Sequence, residues 1–170
     1  MAVLVLYSSS PKTLDEEIRY LADERKNAIF GGYGVSDVPE LALKEMELVK
    51  FLRGKYYGRM FLSIVISFDE YESNLLDVTK LELIAFEVCK ILPYGYQVCY
   101  GIHLDNPTQK HIHFAINTVS PYVGIRKLDI DKVELIRIKR DASLILMKFG
   151  LKPLLSVDTR DLMAEYMRLH

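Results

Sequence analysis

Hydrophobic and polar residues alternate along two neighbouring segments in the middle of the chain. Residues 96–103 and 111–117 place apolar side chains at every second position, which is the pattern of a β-strand with one buried face. The intervening segment 104–110, LDNPTQK, contains the turn-forming residues Asp, Asn and Pro. We therefore predict a β-hairpin over residues 97–117.

The other apolar patterns predict strands and helices around this hairpin. Short apolar runs predict a buried strand at 2–7 and a long strand at 60–68, in which Phe61, Ser63, Val65 and Ser67 share one face. Between these strands, the glycine-rich segment 27–36 is expected to turn sharply or to lie close against a neighbour.

Helical periodicity follows the capping-box pair Thr13 and Glu16, begins again at Pro39 and ends before Gly54, and recurs at 78–92, 130–149 and 162–169. The inward candidates of the 130–149 helix are Val133, Ile136, Ala142, Leu144 and Ile145. This order of elements predicts an α+β fold, with a mainly antiparallel or mixed central sheet flanked by helices and the hairpin at its centre.

Composition restricts the class of protein. A chain of 170 residues is expected to form one domain over residues 1–170, and its end at His170 is compatible with a shortened chain. No apolar run approaches the roughly 18 residues of a membrane span, and no secretory signal follows Met1, so we expect a cytoplasmic protein without membrane insertion. A net charge of −1 argues against a uniformly basic nucleic-acid-binding surface but allows a local basic groove.

The hairpin holds three of the four histidines. His111 and His113 are two residues apart on one strand, so both project from the same face with Cα atoms roughly 6.5–7 Å apart. If the loop folds back, His103 joins them, and three neutral imidazoles can hold a metal ion while leaving positions open for a substrate oxygen. The alternative is a solvated or packed histidine pair. Asp105 and Asn117 are candidate acceptors for the ring N–H groups.

Two further groups of residues are candidates for function. Tyr20 lies more than about 100° around the helix from the apolar stripe of Leu14, Ile18 and Leu21, so core packing does not require a tyrosine there. Basic residues cluster in two segments, and a solvated surface is the alternative explanation for both clusters: Lys55, Arg59, Arg126, Lys127, Arg137, Lys139 and Arg140.

At these residues the sequence resembles the relaxases, or mobilisation nucleases, of the HUH endonuclease superfamily. The pattern His103-Leu-Asp105 followed by His111-Ile-His113 and ending at Asn117 is similar to the family's three-histidine metal motif. Ser67-Phe68 resembles its Ser-Phe motif near the DNA, and the segment 124–128, Gly-Ile-Arg-Lys-Leu, resembles its Gly-Lys-Lys-Leu turn. Tyr20 and the glycines after it resemble its tyrosine motif.

The resemblance implies a nuclease that cuts one strand of DNA at the transfer origin of a plasmid or integrative element and stays bound through a 5′-phosphotyrosine. It implies Tyr20 as the catalytic tyrosine and a divalent ion on His103, His111 and His113, with Mg or Mn expected and Zn, Ni or Co as alternatives. Asp105 is either an orienting acceptor, and so a candidate catalytic residue, or a loop residue. Single-stranded DNA is the expected partner, with accessory relaxosome and coupling proteins, and the expected DNA-contacting residues are Ser67, Lys55, Arg59, Arg126 and Lys127.

Other interpretations stay open at this point. A replication-initiator or transposase-type nuclease would use the same metal site with a later tyrosine, for which Tyr166 is the candidate. Tyr7 is the rival nucleophile near the first strand. A metal-dependent hydrolase would use water instead of tyrosine, and a catalytically silent DNA-binding module would use neither.

Overall fold

The computed structural model describes residues 1–7, 12–125 and 127–154. Strands and helices follow one another along the chain as β1 (Val3–Tyr7), α1 (Leu14–Leu21), β2 (Ile29–Tyr33), α2 (Pro39–Leu52), β3 (Phe61–Ser67), α3 (Glu70–Leu75), α4 (Val78–Ile91), β4 (Val98–His103), β5 (His111–Asn117) and α5 (Lys132–Lys148). A one-turn 3₁₀ helix, Glu24–Lys26, links α1 to β2. Within these described ranges, no helix has the length and apolar character needed to cross a membrane.

The strands form one five-stranded sheet in the order β1-β3-β5-β4-β2, and each neighbouring pair is antiparallel. The predicted hairpin is present as β4 and β5, and β5 lies at the centre of the sheet. The α+β prediction with a central antiparallel sheet and a hairpin that carries the three histidines is therefore confirmed.

The two faces of the sheet are covered by different helices. One face packs its apolar residues, including Ile64, Ile112 and Phe114, into a core cluster with α4 and α5. On the opposite face, Phe61, Cys99 and Ala115 pack into a second cluster with α1 and α2. Because directly paired residues of antiparallel strands share a face, His103, His111 and His113 lie on the face that α1 covers.

Local sequence sets both ends of α1. Thr13 accepts from the Glu16 backbone N–H while the Glu16 side chain accepts from Thr13, so the predicted capping box is confirmed. At the other end, the helix lies directly on β4 beside Gly101. A Cβ on Gly101 would stand 2.3 Å from the Leu21 carbonyl oxygen, so the absence of a side chain allows this close approach.

Several predictions about individual elements need correction. The glycine-rich segment contains strand β2 instead of being only a turn, although the expected close approach is found where Gly31 faces the Tyr100 ring. Helix α3 was missed. Val133 and Ile136 are exposed, not inward, whereas Ala142, Leu144 and Ile145 are buried. The helix predicted at 162–169 lies outside the described residues.

Strand β1 is also less buried than predicted. It forms an edge of the sheet and pairs only with β3 among the described strands. Ala2 and Leu4 are buried, but Val3, Val5 and Tyr7 are exposed by 40%, 40% and 50%. An apolar run does not distinguish a strand that is buried on both faces from one that is buried on a single face.

Candidate active site

Strand register brings the three histidines together. His103 pairs directly with His111 across β4 and β5, and His113 lies opposite Gly101 on the same sheet face. One potential ligand nitrogen from each histidine lies within 4.8 Å of the other two. The cluster predicted from sequence is thus formed by backbone pairing.

Backbone carbonyls determine which nitrogen of two histidines can bind an ion. His103 Nε2 lies 3.0 Å from the Tyr20 carbonyl oxygen, and His111 Nδ1 lies 3.0 Å from the Gln109 carbonyl oxygen. A carbonyl oxygen only accepts, so these nitrogens carry the protons. The remaining nitrogens, His103 Nδ1 and His111 Nε2, face each other at 3.3 Å with a lone pair on each. Two lone pairs cannot bond to each other but can share a cation.

His113 completes this donor set. Its Nε2 is buried and has no hydrogen-bond partner within the described part of the chain. Burial, with the neighbouring charges of His103 and His111, lowers the pKa of His113 to about 3. Burial also lowers the pKa of His103, together with the charges of His111 and Lys26. Rings with lowered pKa are neutral near pH 7, which is the form that binds metal.

The fit to an ion follows from these observations. Neighbouring ligands of a tetrahedral ion bound by imidazole nitrogens lie roughly 3.3 Å apart, which agrees with the separation between His103 and His111. The orphaned Nε2 of His113 supplies a third donor. The three histidines therefore form a site for a divalent metal ion.

Tyr20, near the C-terminal end of α1, lies against this histidine cluster. Its ring makes edge contacts with the rings of His103 and His113, with centroid distances of 5.0 and 5.2 Å. The ammonium groups of Lys12 and Lys26 lie 3.8 and 5.5 Å from the Tyr20 ring centroid. The side chain is half-buried, so its hydroxyl-bearing ring is accessible beside the histidines.

Lys12, Tyr20, His111 and His113 line an open cleft of about 520 Å³. Ser67, opposite His111 on β3, also lies in the cleft, and its contact with DNA stays a prediction. Tyr7 also lines it, so the rival tyrosine is nearby as well. Tyr166 lies outside the described residues.

Glu17, a buried carboxylate in the same cleft, was not predicted from the sequence. Glu17 is 3% exposed, accepts from Ser63 Oγ at 3.3 Å and lies 3.4 Å from Lys12 Nζ. Lys12 therefore lies between the Glu17 carboxylate and the Tyr20 ring. The available signal was spacing, because residues three apart share a helix face and Glu17 is one turn before Tyr20.

Asp105 and Asn117 occupy different places from those expected. Asp105 is near the histidines but pairs with Lys26 Nζ at 3.3 Å, and the ring N–H groups of His103 and His111 donate to carbonyls instead. Asn117 is four residues beyond His113, roughly 13 Å along the strand. It is buried among Lys50, Gln97 and Met46 and does not bond to a histidine. Its prediction as a histidine acceptor is wrong.

The predicted basic DNA contacts lie at the other end of the sheet. Lys55 and Arg59 precede the start of β3, and Lys127 follows the end of β5, whereas His111 and His113 lie six and four residues before that end of β5. These separations are about 20 Å and about 13 Å along the strand. Lys55 and Lys127 line one hollow together. Arg126 is outside the described residues.

Comparisons with known proteins agree with this architecture. A family model described as the MobA/VirD2-like nuclease domain of relaxases matches residues 14–151. No curated protein sequence matches the chain. Among solved structures, an Mn-bound crystal structure at pH 5.5 of the MobM relaxase domain (MOBV; Mob_Pre), bound to 22 nucleotides of plasmid pMV158 oriT DNA, is similar with a TM-score of 0.56. Sequence identity is 14%, and 99% of each chain is covered, so this likeness concerns the fold.

Proposed function

The chain belongs to the MobA/VirD2-like relaxase nuclease family, and from that premise we propose that it nicks one DNA strand by attack of Tyr20 at a transfer origin. The family match confirms the resemblance predicted from the sequence. The observation that carries the proposal is the position of Tyr20, whose ring contacts both His103 and His113 in an open cleft. The nucleophile and the ion-binding nitrogens are thus within reach of one phosphate group.

The reaction is a transesterification. The Tyr20 hydroxyl oxygen attacks the scissile phosphorus, the bond from phosphorus to the 3′ oxygen breaks, and that oxygen leaves as a 3′-hydroxyl after it takes up a proton. The product is a 5′-phosphotyrosine, and the reverse attack by a 3′-hydroxyl rejoins the strand. A tyrosine hydroxyl is a weak nucleophile at neutral pH, so its proton needs an acceptor.

Other residues of the cleft are proposed to accept the Tyr20 proton and to neutralise the charge of the phosphate. We assign Glu17 as acceptor of the Tyr20 proton, because it is the buried carboxylate on the same helix face. Lys12 lies beside both groups and supplies positive charge toward the phosphate. A divalent ion on His103, His111 and His113 would polarise the phosphoryl group and neutralise its charge.

The proposed partner is single-stranded DNA at a transfer origin. The similar MobM domain is bound to oriT DNA, and an unpaired strand can enter the cleft and reach the half-buried Tyr20 more easily than a duplex can. Ser67 lies beside the cluster and is a proposed contact near the cut. Accessory relaxosome and coupling proteins are proposed as further partners, as the family implies.

Covalent capture tests the proposal. Single-stranded oligonucleotides that tile the transfer origin of the element encoding this chain are incubated with the protein and Mn²⁺ or Mg²⁺. We expect a denaturation-resistant adduct whose tryptic peptide carries the nucleotide on Tyr20. Tyr20→Phe should abolish the adduct, and His113→Ala should lower its yield by orders of magnitude because an ion ligand is lost.

Other outcomes identify other chemistry. Tyr7→Phe is the matched control, since Tyr7 lines the same cleft, and it should retain the adduct. An adduct on Tyr7 or Tyr166 would contradict the assignment of Tyr20. Strand cleavage without any adduct would show that water attacks.

A further inference from the structure

Two exposed tyrosines stack on each other at the end of the sheet remote from the histidines. Tyr94, in the α4–β4 connection, is 86% exposed, and Tyr122, after β5, is 57% exposed. Their rings are nearly parallel, with an interplanar angle of 8° and centroids 6.3 Å apart. The Tyr122 ring therefore lies parallel to the Tyr94 ring but offset from it, and most of the Tyr94 surface is open to solvent.

The loops that carry this pair are held together by hydrogen bonds and close packing. Ser120 Oγ donates to the Gly95 carbonyl oxygen at 2.5 Å. Gly95 has a φ of +85°, and a Cβ there would stand 2.4 Å from Ile125 Cδ1. The Arg53 guanidinium donates to the Ser120 carbonyl at 2.8 Å and also to the Tyr122 carbonyl. These contacts hold the loop of Tyr94 and the loop of Tyr122 next to each other.

Positively charged side chains lie beside the loop that carries Ser120 and Tyr122. Arg53, Lys55 and Lys127 line a hollow of about 340 Å³, which we call the basic hollow, and Ser120 forms part of its wall. The hydrogen bonds of Arg53 and Lys55 go to carbonyl oxygens, which leave the net charge of both groups in place. Desolvation lowers the pKa of Lys55, and the positive charges of Lys127 and Arg59 lower it further. Two carboxylates of the adjoining segments are paired with other cations, Asp129 with Arg59 and Glu87 with Lys90.

We propose that Tyr94 and Tyr122, with the basic hollow, form a second binding site for single-stranded DNA, in which a base stacks on Tyr94 and the backbone phosphates lie over Arg53, Lys55 and Lys127. A stacking aromatic beside a cationic groove is the combination that binds unpaired strands without sequence preference. Bases in a duplex are already stacked, so this surface favours an unpaired strand over a blunt duplex. The inference rests on the proposed function for its partner.

The position of the second site sets a length requirement for the DNA. The end of β5 beside the basic hollow lies about 20 Å along the strand from His111 and about 13 Å from His113. At about 3.4 Å per nucleotide in a stacked strand, these separations correspond to about four to six nucleotides. A strand that occupies both sites must therefore be longer than one that occupies the cleft alone, and the second site anchors DNA away from the cut.

Affinity measurements on the full chain test this site. Fluorescein-labelled dT20 and dT6 are titrated with protein at low salt and read by anisotropy. Tyr94→Ala should weaken dT20 binding about 5-fold to 100-fold, because one base–aromatic stack is lost. Tyr94→Phe keeps the ring and should bind as the wild type does. Lys127→Ala should lower the slope of log affinity against log salt by about one unit, since one phosphate contact is removed.

The outcomes separate this inference from the nicking proposal. Wild-type protein that does not bind dT20, or binds it as tightly after Tyr94→Ala, would overturn the second site while leaving adduct formation on Tyr20 intact. A Tyr94→Ala defect limited to self-association in sedimentation would also overturn it. If no adduct forms with any origin strand but dT20 binding depends on Tyr94, the nicking proposal fails and the second site stands.

Discussion

The three histidines of the cluster present their lone pairs for two different reasons. Two rings are oriented by backbone carbonyls, of Tyr20 and of Gln109, and the third has a buried nitrogen without a partner in the described ranges. Spacing on the hairpin was enough to predict that the three residues converge. The spacing could not predict which groups accept the ring N–H bonds, because every residue has a backbone carbonyl and the sequence does not show which one lies near a ring. Asp105 and Asn117 were therefore predicted as acceptors in place of the Tyr20 and Gln109 carbonyls.

Burial of His113 predicts that stability without metal depends on pH. Its pKa is lowered from 6.5 to about 3, so between these values the unfolded chain binds a proton that the folded chain does not. This contribution is fully present above pH 6.5 and is lost as the pH falls toward 3, by about 2 kcal/mol at pH 5. His103 acts in the same direction.

Urea denaturation of the chelator-treated protein at pH 7 and pH 5 measures this loss. His113→Ala should reduce the difference between the two unfolding free energies, whatever its effect on stability at pH 7. The same pH difference in wild type and variant would contradict the assignment.

Glu17 provides a prediction about proton transfer. Glu17→Gln keeps the size of the side chain and an oxygen for the Ser63 hydroxyl, so the fold should be retained. If Glu17 accepts the Tyr20 proton, the single-turnover rate of adduct formation should fall by about 10²- to 10⁴-fold at pH 7. If Glu17 has only a structural role, Glu17→Gln leaves the pH dependence of the adduct-formation rate unchanged. If Glu17 is the base, the variant's rate no longer depends on an ionised carboxylate at this position.

The exposed Glu24→Gln is the matched control for this experiment. An unchanged rate in Glu17→Gln would exclude Glu17 as the base. Sequence analysis overlooked Glu17 because it follows Asp15 and Glu16 in the first turns of α1, where acidic residues are common for electrostatic reasons unrelated to catalysis.

At the scale of elements, the position of α1 relative to the hairpin decides whether Tyr20 reaches the histidines. The capping box that begins α1 and the alternation that forms β4 and β5 were both readable from sequence. Strand β2 could not be predicted from the sequence, because Gly31 and Gly32 have low strand propensity. These glycines allow close contacts with the Tyr100 ring and with the carbonyls of Val35 and Ser36. Helix α3 is only six residues long, with little room for a periodic pattern.

Gly101→Ala tests the contact between α1 and β4. The new Cβ would stand 2.3 Å from the Leu21 carbonyl oxygen and 2.8 Å from its Cα, and backbone at this position can move only if α1 moves. We expect a loss of about 1–3 kcal/mol in unfolding free energy. We also expect a lower adduct yield, since Tyr20 is displaced with the helix.

Gly31→Ala is a suitable comparison, because its added Cβ would meet the Tyr100 side chain, which can rotate away. It should retain adduct formation through Tyr20. Thermal melts and adduct yields on both variants give the result. Equal adduct yield in Gly101→Ala and wild type would show that the helix does not need this close approach.

At the scale of the whole molecule, the sheet separates two kinds of chemistry. The histidines, Tyr20 and Glu17 lie at one end of β5, and the basic hollow with its stacked tyrosines lies at the other. Alternation predicted which residues share a face, but the distance between Lys55 or Lys127 and the histidines depends on the strand order β1-β3-β5-β4-β2. That order arises from long-range pairing, so the predicted DNA contacts could be listed from sequence but not located.

The hydrogen bond from the His103 ring to the Tyr20 carbonyl joins the two halves of the active site. We expect a DNA strand bound at Tyr20 to shift the carbonyl that orients this ring, and an ion bound by His103 to strengthen the hydrogen bond to the end of α1. The affinities for DNA and for metal should then be coupled, and by thermodynamic reciprocity each ligand should change the affinity for the other by the same factor. Metal titrations with and without a bound strand would therefore give different dissociation constants for the ion, and their ratio measures this coupling.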